Sequence, residues 1–317
     1  LGEDVNPGYL FGNYLWITGT SIVAEQYSHK FVKKALSELI DSNMNKPYVI
    51  EIASNDGTFL KRFIENGCTV LGVDPAKNIA ELAMENGIPT RNDFFTIELA
   101  KTLLKENGKS DIIFARNVIP HVKEIHSVIS GMSILLKENG VGIIEFHNAG
   151  LVLEELHYDY IYHEHFSYFS VKVLKDLFGK SGFELIHISL QSSKGGSIRA
   201  IAQHMGGKRK TDKSVDAFIS KEKEDEIHES TTYMNFAKRI NEKRDMLVEF
   251  IRHITMWGDA NGWSPIIMHI DIVEHQGSIS ADIKRDINKL IAPVIDEGGV
   301  CIRQNGIDAG RKIWSGR

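Results

Sequence analysis

Apolar positions along the chain follow two rhythms. Between residues 28 and 42 (SHKFVKKALSELIDS) they recur in pairs, Phe31 with Val32, Ala35 with Leu36 and Leu39 with Ile40, which is the stripe of an amphipathic helix. From residue 48 onward they gather into short continuous runs: YVIEIA at 48–53, VLGVD at 70–74, DIIFA at 111–115 and VGIIEF at 141–146. Helix-like stretches separate these runs. The alternation predicts an α/β domain, doubly wound, with a mainly parallel sheet and helices on both faces. Residues 171–180 read as a further helix, and 183–190 with 197–204 as two strands closing the sheet, one of them a candidate antiparallel edge. The helix of 28–42 is expected to cover an edge of this domain.

The same pattern divides the chain. Residues 1–46 form an aromatic, turn-rich segment followed by the cover helix, and 47–207 form the sheet domain. Residues 208–256 are highly charged, with Ile227, Met234, Ile240, Leu247 and Ile251 at helical spacing, and predict a long helical segment, single or paired. Residues 257–317, with SPIIMHIDIV and INKLIAPVI, read as a small C-terminal α/β region.

Composition narrows the function classes. Over 317 residues, 42% hydrophobic and 25% charged content is ordinary for a globular protein. A net charge of -5 offers no broad basic footprint, so nucleic acid is not expected as a partner. Two cysteines, Cys68 and Cys301, supply neither a disulfide framework nor a cysteine zinc site, and fit a reducing cytoplasm. No apolar run is long enough to span a bilayer and no secretory pattern opens the chain, so no membrane partner is expected.

In an open parallel sheet ligands bind beyond the carboxyl ends of the strands. The first strand there runs through Glu51 into a turn of Ser54, Asn55, Asp56 and Gly57, small and permissive residues that let backbone donors approach an anionic group. The turn is not GxGxxG, because Ala53 stands where the first glycine would be, and this disfavours a nicotinamide dinucleotide. The second strand ends at Asp74, at the distance where an acid accepts hydrogen bonds from two ribose hydroxyls; a helix cap beside Pro75 is the competing reading. Asn117 and His121, in ARNVIPHV, fall at the carboxyl end of the next strand.

Residues 159–168, DYIYHEHFSY, pack ionisable and aromatic groups densely. Tyr162, His163, Glu164 and His165 can supply a base, an acid and an orienting carboxylate. A metal site is not expected, since two histidines flanking one glutamate lack HExxH spacing. The turn before 197–204 places Gly196, Ser197 and Arg199 where backbone donors can hold phosphate or sugar hydroxyls, and it is equally an ordinary tight turn.

EIASNDG, the strand ending at Asp74, ARNVIPHV, IYHEHFSYFS and SKGGSIR, in this order over residues 8–204, together resemble the sugar C-methyltransferase family of deoxysugar biosynthesis. The YHEH block is the most specific of them. The resemblance implies a class I methyltransferase fold, S-adenosylmethionine as cofactor, and a nucleotide-linked 4-keto-6-deoxyhexose as substrate, methylated at carbon through an enolate. It also implies His165 as general base, Tyr162 and Glu164 in support, and His121 near the developing enolate oxygen. Glu51, Ser54, Asn55, Asp56, Gly57, Asp74, Pro75 and Asn117 would hold the cofactor. Tyr14, Trp16, His163, Gly196, Ser197 and Arg199 would face the substrate. An O- or N-methyltransferase and a non-catalytic nucleotide-sugar or cofactor-binding protein are the alternatives, and monomer and homodimer are both open. Family members usually carry a cysteine-rich zinc module before GYLFGNYLWITGTS and a Rossmann-like C-terminal domain; neither is recognisable here, and Trp16 stands where tyrosine is more usual.

Overall fold

The computed structural model describes residues 6–41, 43–162, 164–191 and 196–260. A short helix α1 (Pro7–Phe11) and the cover helix α2 (Ile22–Leu39) lead into the sheet domain. There follow β1 (Tyr48–Ile52), α3 (Thr58–Glu65), β2 (Thr69–Asp74), α4 (Lys77–Glu85), β3 (Thr90–Asn92), α5 (Ile97–Asn107), β4 (Ser110–Arg116), α6 (Ile125–Leu135) and β5 (Leu136–Phe146). The chain continues through α7 (Ala149–Glu154), α8 (Val171–Gly179), β6 (Phe183–Gln191), β7 (Ser197–His204), α9 (Lys213–Glu224) and α10 (Ser230–Ala260).

Seven strands form one sheet in the order β3-β2-β1-β4-β5-β7-β6. The first five are parallel, and β7 runs antiparallel between β5 and β6. The strand order reverses between β1 and β4, so their carboxyl ends open the crevice in which such sheets bind ligands. This is the class I methyltransferase architecture. β3 is short and polar (Thr-Arg-Asn), and no apolar run announces it in the sequence.

Strand side chains alternate between two cores. Ile50, Ile52, Ile113, Ala115, Ile144 and Phe146 point into one, filled by residues of α5, α6 and α8. Val49, Ile112, Phe114, Val141 and Ile143 point into the other, filled by Phe31, Val32 and Ala35 of α2 and Phe59, Leu60 and Phe63 of α3. Phe31 stacks within 5.2 to 6.4 Å of Phe59, Phe63 and Phe114, ring centroid to centroid. The cover helix therefore lies over a face of the sheet rather than an edge. It also begins earlier than its stripe, capped by the Ser21 hydroxyl, because the first turn carries the exposed Ile22 and Val23.

The described residues of Leu1–Gly150 with Ile161–Ile227 form one compact unit, and those of Leu151–Tyr160 with His228–Arg317 a second. In the first, α9 caps the start of α8: the buried Glu222 carboxylate accepts from the amides of Val171 and Lys172. The helical stretch breaks after α9, where Glu226 takes a left-handed φ of 52° usually given to glycine. In the second, Arg239 of α10 donates to the carbonyls of Leu153 and Glu154. Residues 257–260 belong to α10, and the rest of the expected C-terminal α/β region lies outside the described residues. Among the described residues no helix is long and apolar enough to cross a membrane.

Candidate active site

The turn after β1 is wound by left-handed backbone at Ala53 (φ 52°), Asn55 (φ 52°) and Gly57 (φ 77°). A Cβ at Gly57 would stand 2.7 Å from Ile88, so glycine is required there by both conformation and space. The turn brings Asn55 N–H to Asp74 Oδ2 at 2.8 Å, while Asp74 Oδ1 accepts from Ala76 at 2.9 Å. Asp74 thus closes a local turn ahead of α4, whose N-cap is Ala76. Burial pushes its carboxyl pKa up, opposed by the hydrogen bonds from Ala76 and Asn55.

Glu51, Ser54 and Asn117 converge on the carboxyl ends of β1 and β4. Glu51 receives Arg116 at 3.1 Å, and the Arg116 guanidinium lies 3.1 Å over the Phe59 ring. Burial outweighs that cation and pushes the Glu51 carboxyl up to about 8, with Asp56 and Asp74 adding to the rise. Asn117 holds a left-handed φ of 55°, fixed by its amide donating to the Glu145 carbonyl at 2.7 Å. Glu51 Oε2, Ser54 Oγ and Asn117 Oδ1 are buried without a hydrogen-bond partner. Two acceptors and a hydroxyl left unpaired, beside a buried acid that can still accept at Asp74, suit the ammonium and ribose groups of a nucleoside that carries an amino acid. The donor set therefore fits S-adenosylmethionine.

Beyond β4, a single helical turn at Ile119–His121 carries His121. Its Pro120 carbonyl accepts from Phe166 at 2.8 Å and Ser167 at 3.3 Å, which docks the YHEH loop against it. His121 and His165 then lie 4.6 Å apart, centroid to centroid, with Tyr162 4.4 Å and Tyr168 6.0 Å from His165. His121 Nδ1 is 3.1 Å from the Glu164 carbonyl and 3.9 Å from its carboxylate. His165 is buried. A paired imidazole cluster with phenols and one carboxylate can take up and redistribute a proton. Among the described residues no group of three or more His, Cys, Asp or Glu side chains forms a metal site.

The segment after α1 crosses this region. Tyr14 pairs through its backbone with the Asn78 side chain, and Trp16 and Thr18 with that of Asn55. The Tyr14 phenol is half-buried, and its pKa is raised by burial and by the charges of Glu164 and Asp74. Pro75 sits in the bend between Asp74 and α4, and Asp56 accepts from Gly19 at 2.9 Å. His163 and the first part of the glycine turn lie outside the described residues, while Gly196 (φ 114°) precedes the buried Ser197.

Arg199 departs from its expected place. Position 199 shares strand parity with Ile201 and points toward α2, where Arg199 Nε meets Glu145 at 2.6 Å and Nη2 meets the Tyr27 hydroxyl at 2.9 Å. The guanidinium is engaged with these two side chains inside the fold. Phe11 (5.8 Å from His121), Tyr168, Arg116, Glu145 and Asn78 are site neighbours that the sequence reading did not name. A glutamate inside an otherwise apolar central run, as in YVIEI and VGIIEF, was the available sign that buried counter-charges had to exist.

Comparison with known proteins follows the same lines. Residues 23–188 match the methyltransferase domain family, and residues 192–260 match the C-methyltransferase C-terminal domain. The C-methyltransferase NovU of Streptomyces niveus is 30% identical over 260 residues, covering 81% of this chain and 61% of NovU. The chain thus spans about three fifths of that relative. Among solved structures, magnesium protoporphyrin IX methyltransferase from Synechocystis PCC 6803 with bound SAH aligns with a TM-score of 0.45 at 16% identity, covering 57% of this chain and 87% of its own. A SAM-dependent methyltransferase from Archaeoglobus fulgidus aligns with a TM-score of 0.45 at 18% identity, covering 55% and 93%. The chain belongs to the S-adenosylmethionine-dependent methyltransferase family.

Proposed function

We propose that the protein methylates carbon in a nucleotide-linked 4-keto-6-deoxyhexose through an enolate, with His165 as general base. The observation that carries this reading is the His121–His165 pair, 4.6 Å apart with His165 buried, beyond the carboxyl end of β4. A methyl transfer to oxygen or nitrogen needs one base; a transfer to carbon needs a base and a second group for the oxyanion that forms next to it. Two imidazoles, phenols and a carboxylate in one cluster answer that double demand.

In this scheme a ring nitrogen of His165 takes the proton from the carbon beside the ketone. The electron pair of that C–H bond becomes the enolate, whose oxygen receives a hydrogen bond from His121 or the Tyr162 phenol. Glu164 orients His121. S-adenosylmethionine, when bound, supplies the electrophilic methyl group that the enolate carbon takes. Glu51, Ser54, Asn117 and Asp74 hold the cofactor, with Asp56 and Gly57 shaping the turn. Trp16 and Ser197 are assigned to the substrate side, and Tyr14 lies between the two halves. Kinship with a C-methyltransferase and the match to a C-methyltransferase C-terminal domain support the carbon acceptor.

The test is mass spectrometry of a panel of nucleotide 4-keto-6-deoxysugars incubated with the protein and S-adenosylmethionine. The reading expects one added methyl group that survives acid hydrolysis on carbon. Methylation of a hydroxyl or amine alone would replace it with the simpler base mechanism.

A further inference from the structure

Six hydrogen bonds hold residues 12–19 as a strap across the cofactor turn and the start of α4. The Lys77 amide donates to the Gly12 carbonyl, and the Gly19 amide to Asp56. Asn78 accepts from Tyr14 N–H at 3.1 Å and donates to the Tyr14 carbonyl at 2.8 Å, so one amide side chain pairs with both backbone groups of one residue. Asn55 accepts from Thr18 at 2.8 Å and donates to the Trp16 carbonyl at 2.9 Å. The two asparagines flank Asp74 along the chain, and Asn55 is also joined to it through its own backbone.

The strap reaches the acid–base cluster as well. Tyr14 packs on Phe11 at 6.1 Å and Phe11 on His121 at 5.8 Å, so a row of rings links the strap to His165. Beneath it the groups suited to the cofactor are nearly sealed: Glu51 is 1%, Ser54 2% and Asp74 5% exposed. Something must open to admit a ligand the size of a nucleoside. The strap is the exposed element bonded to that turn, with Leu15 92% and Trp16 50% accessible, so hydrogen bonds rather than apolar burial hold it down.

We propose that Asn78 is a positioning residue that latches this strap, and that strap docking and S-adenosylmethionine binding favour one another. The inference rests on the reading of the 51–57 turn and Asp74 as the cofactor site. A ligand on Asp74 steadies the turn that carries Asn55; the steadied Asn55 and Asn78 hold the strap, and the strap bars the ligand's exit while fixing Phe11 against His121. Linkage makes the effect reciprocal.

Hydrogen–deuterium exchange of the 12–20 amides in the full chain, with and without S-adenosylhomocysteine, tests this alongside calorimetric binding. Exchange is expected to slow by about tenfold when the ligand saturates. Asn78→Asp can still accept from Tyr14 but cannot donate to its carbonyl, whereas Asn78→Ala does neither. They should weaken ligand binding by about three- and tenfold and remove the protection in the same order. Asn78 is exposed, and aspartate near the start of α4 favours the helix, so the Asp variant keeps the fold even if the Ala variant does not. Exchange indifferent to bound ligand, or unchanged affinity in a folded Asp variant, overturns the latch. Absence of binding by the wild-type protein overturns the cofactor reading itself, and the inference with it.

Discussion

On one face of the sheet the inward positions of the central strands are apolar to their ends: Ile50 and Ile52, Ile113 and Ala115, Ile144 and Phe146. On the other, Val49, Phe114 and Ile143 give way near the carboxyl ends to Glu51, Arg116, Glu145 and Arg199. Arg116, Glu145 and Arg199 are register partners across β4, β5 and β7, so their charges alternate along one row. Tyr27 closes that row, its phenol donating to Glu145 at 2.8 Å and pushed up to about 12 by burial and the neighbouring carboxylate. The first face needs only volume and pattern. The second needs matched partners, and it borders the place where a ligand must be bound, since the backbone of Glu145 also fixes Asn117.

Substitutions on the charged row should expose this difference most strongly. Arg199→Met leaves Glu145 buried without its cation and should cost about 3 to 5 kcal/mol in a denaturant titration. Adding Glu145→Gln should restore much of it, because the loss comes from the uncompensated charge. Equal stability of single and double variants would mean that the row behaves like the apolar face.

Glu51→Gln should give a smaller, pH-dependent effect. With its carboxyl pushed from the ordinary 4.5 up to about 8, native Glu51 keeps a proton that the unfolded chain releases. Native stability therefore falls as pH rises from about 4.5 to about 8. The glutamine variant lacks this slope, so its gain in Tm should be negligible near the low end of that window and grow to its top, while S-adenosylhomocysteine binds more weakly. A gain independent of pH would remove Glu51 as the source. The smallest change is Ala53→Gly, which relieves left-handed backbone at φ 52° and should add about 0.5 to 1 kcal/mol by thermal unfolding. A loss would show that Ala53 sits there without strain.

The apolar face was legible in the sequence because a buried strand writes itself as a continuous run, and β1, β2, β4 and β5 did so. β3 did not, being three polar residues paired to β2. The SNDG turn and the YHEH cluster were visible because their residue types are costly unless used. Arg199 beside a glycine turn resembles a ligand-facing cation, and the pairing of its charge with Glu145 shows only in the strand register. Asn78 and Phe11 carry no sequence signal, since what they do depends on a strap folded back over residues 37 or more positions away.

The central claim is that a base at His165 removes a carbon-bound proton. Incubating the nucleotide 4-keto-6-deoxysugar in deuterated water with protein and no methyl donor measures that step alone. Wild-type protein is predicted to exchange the proton beside the ketone, and His165→Asn to do so about a hundred- to ten-thousandfold more slowly while still binding S-adenosylhomocysteine. Undiminished exchange by the variant, or methyl transfer by wild type without any exchange-competent proton, would contradict the account.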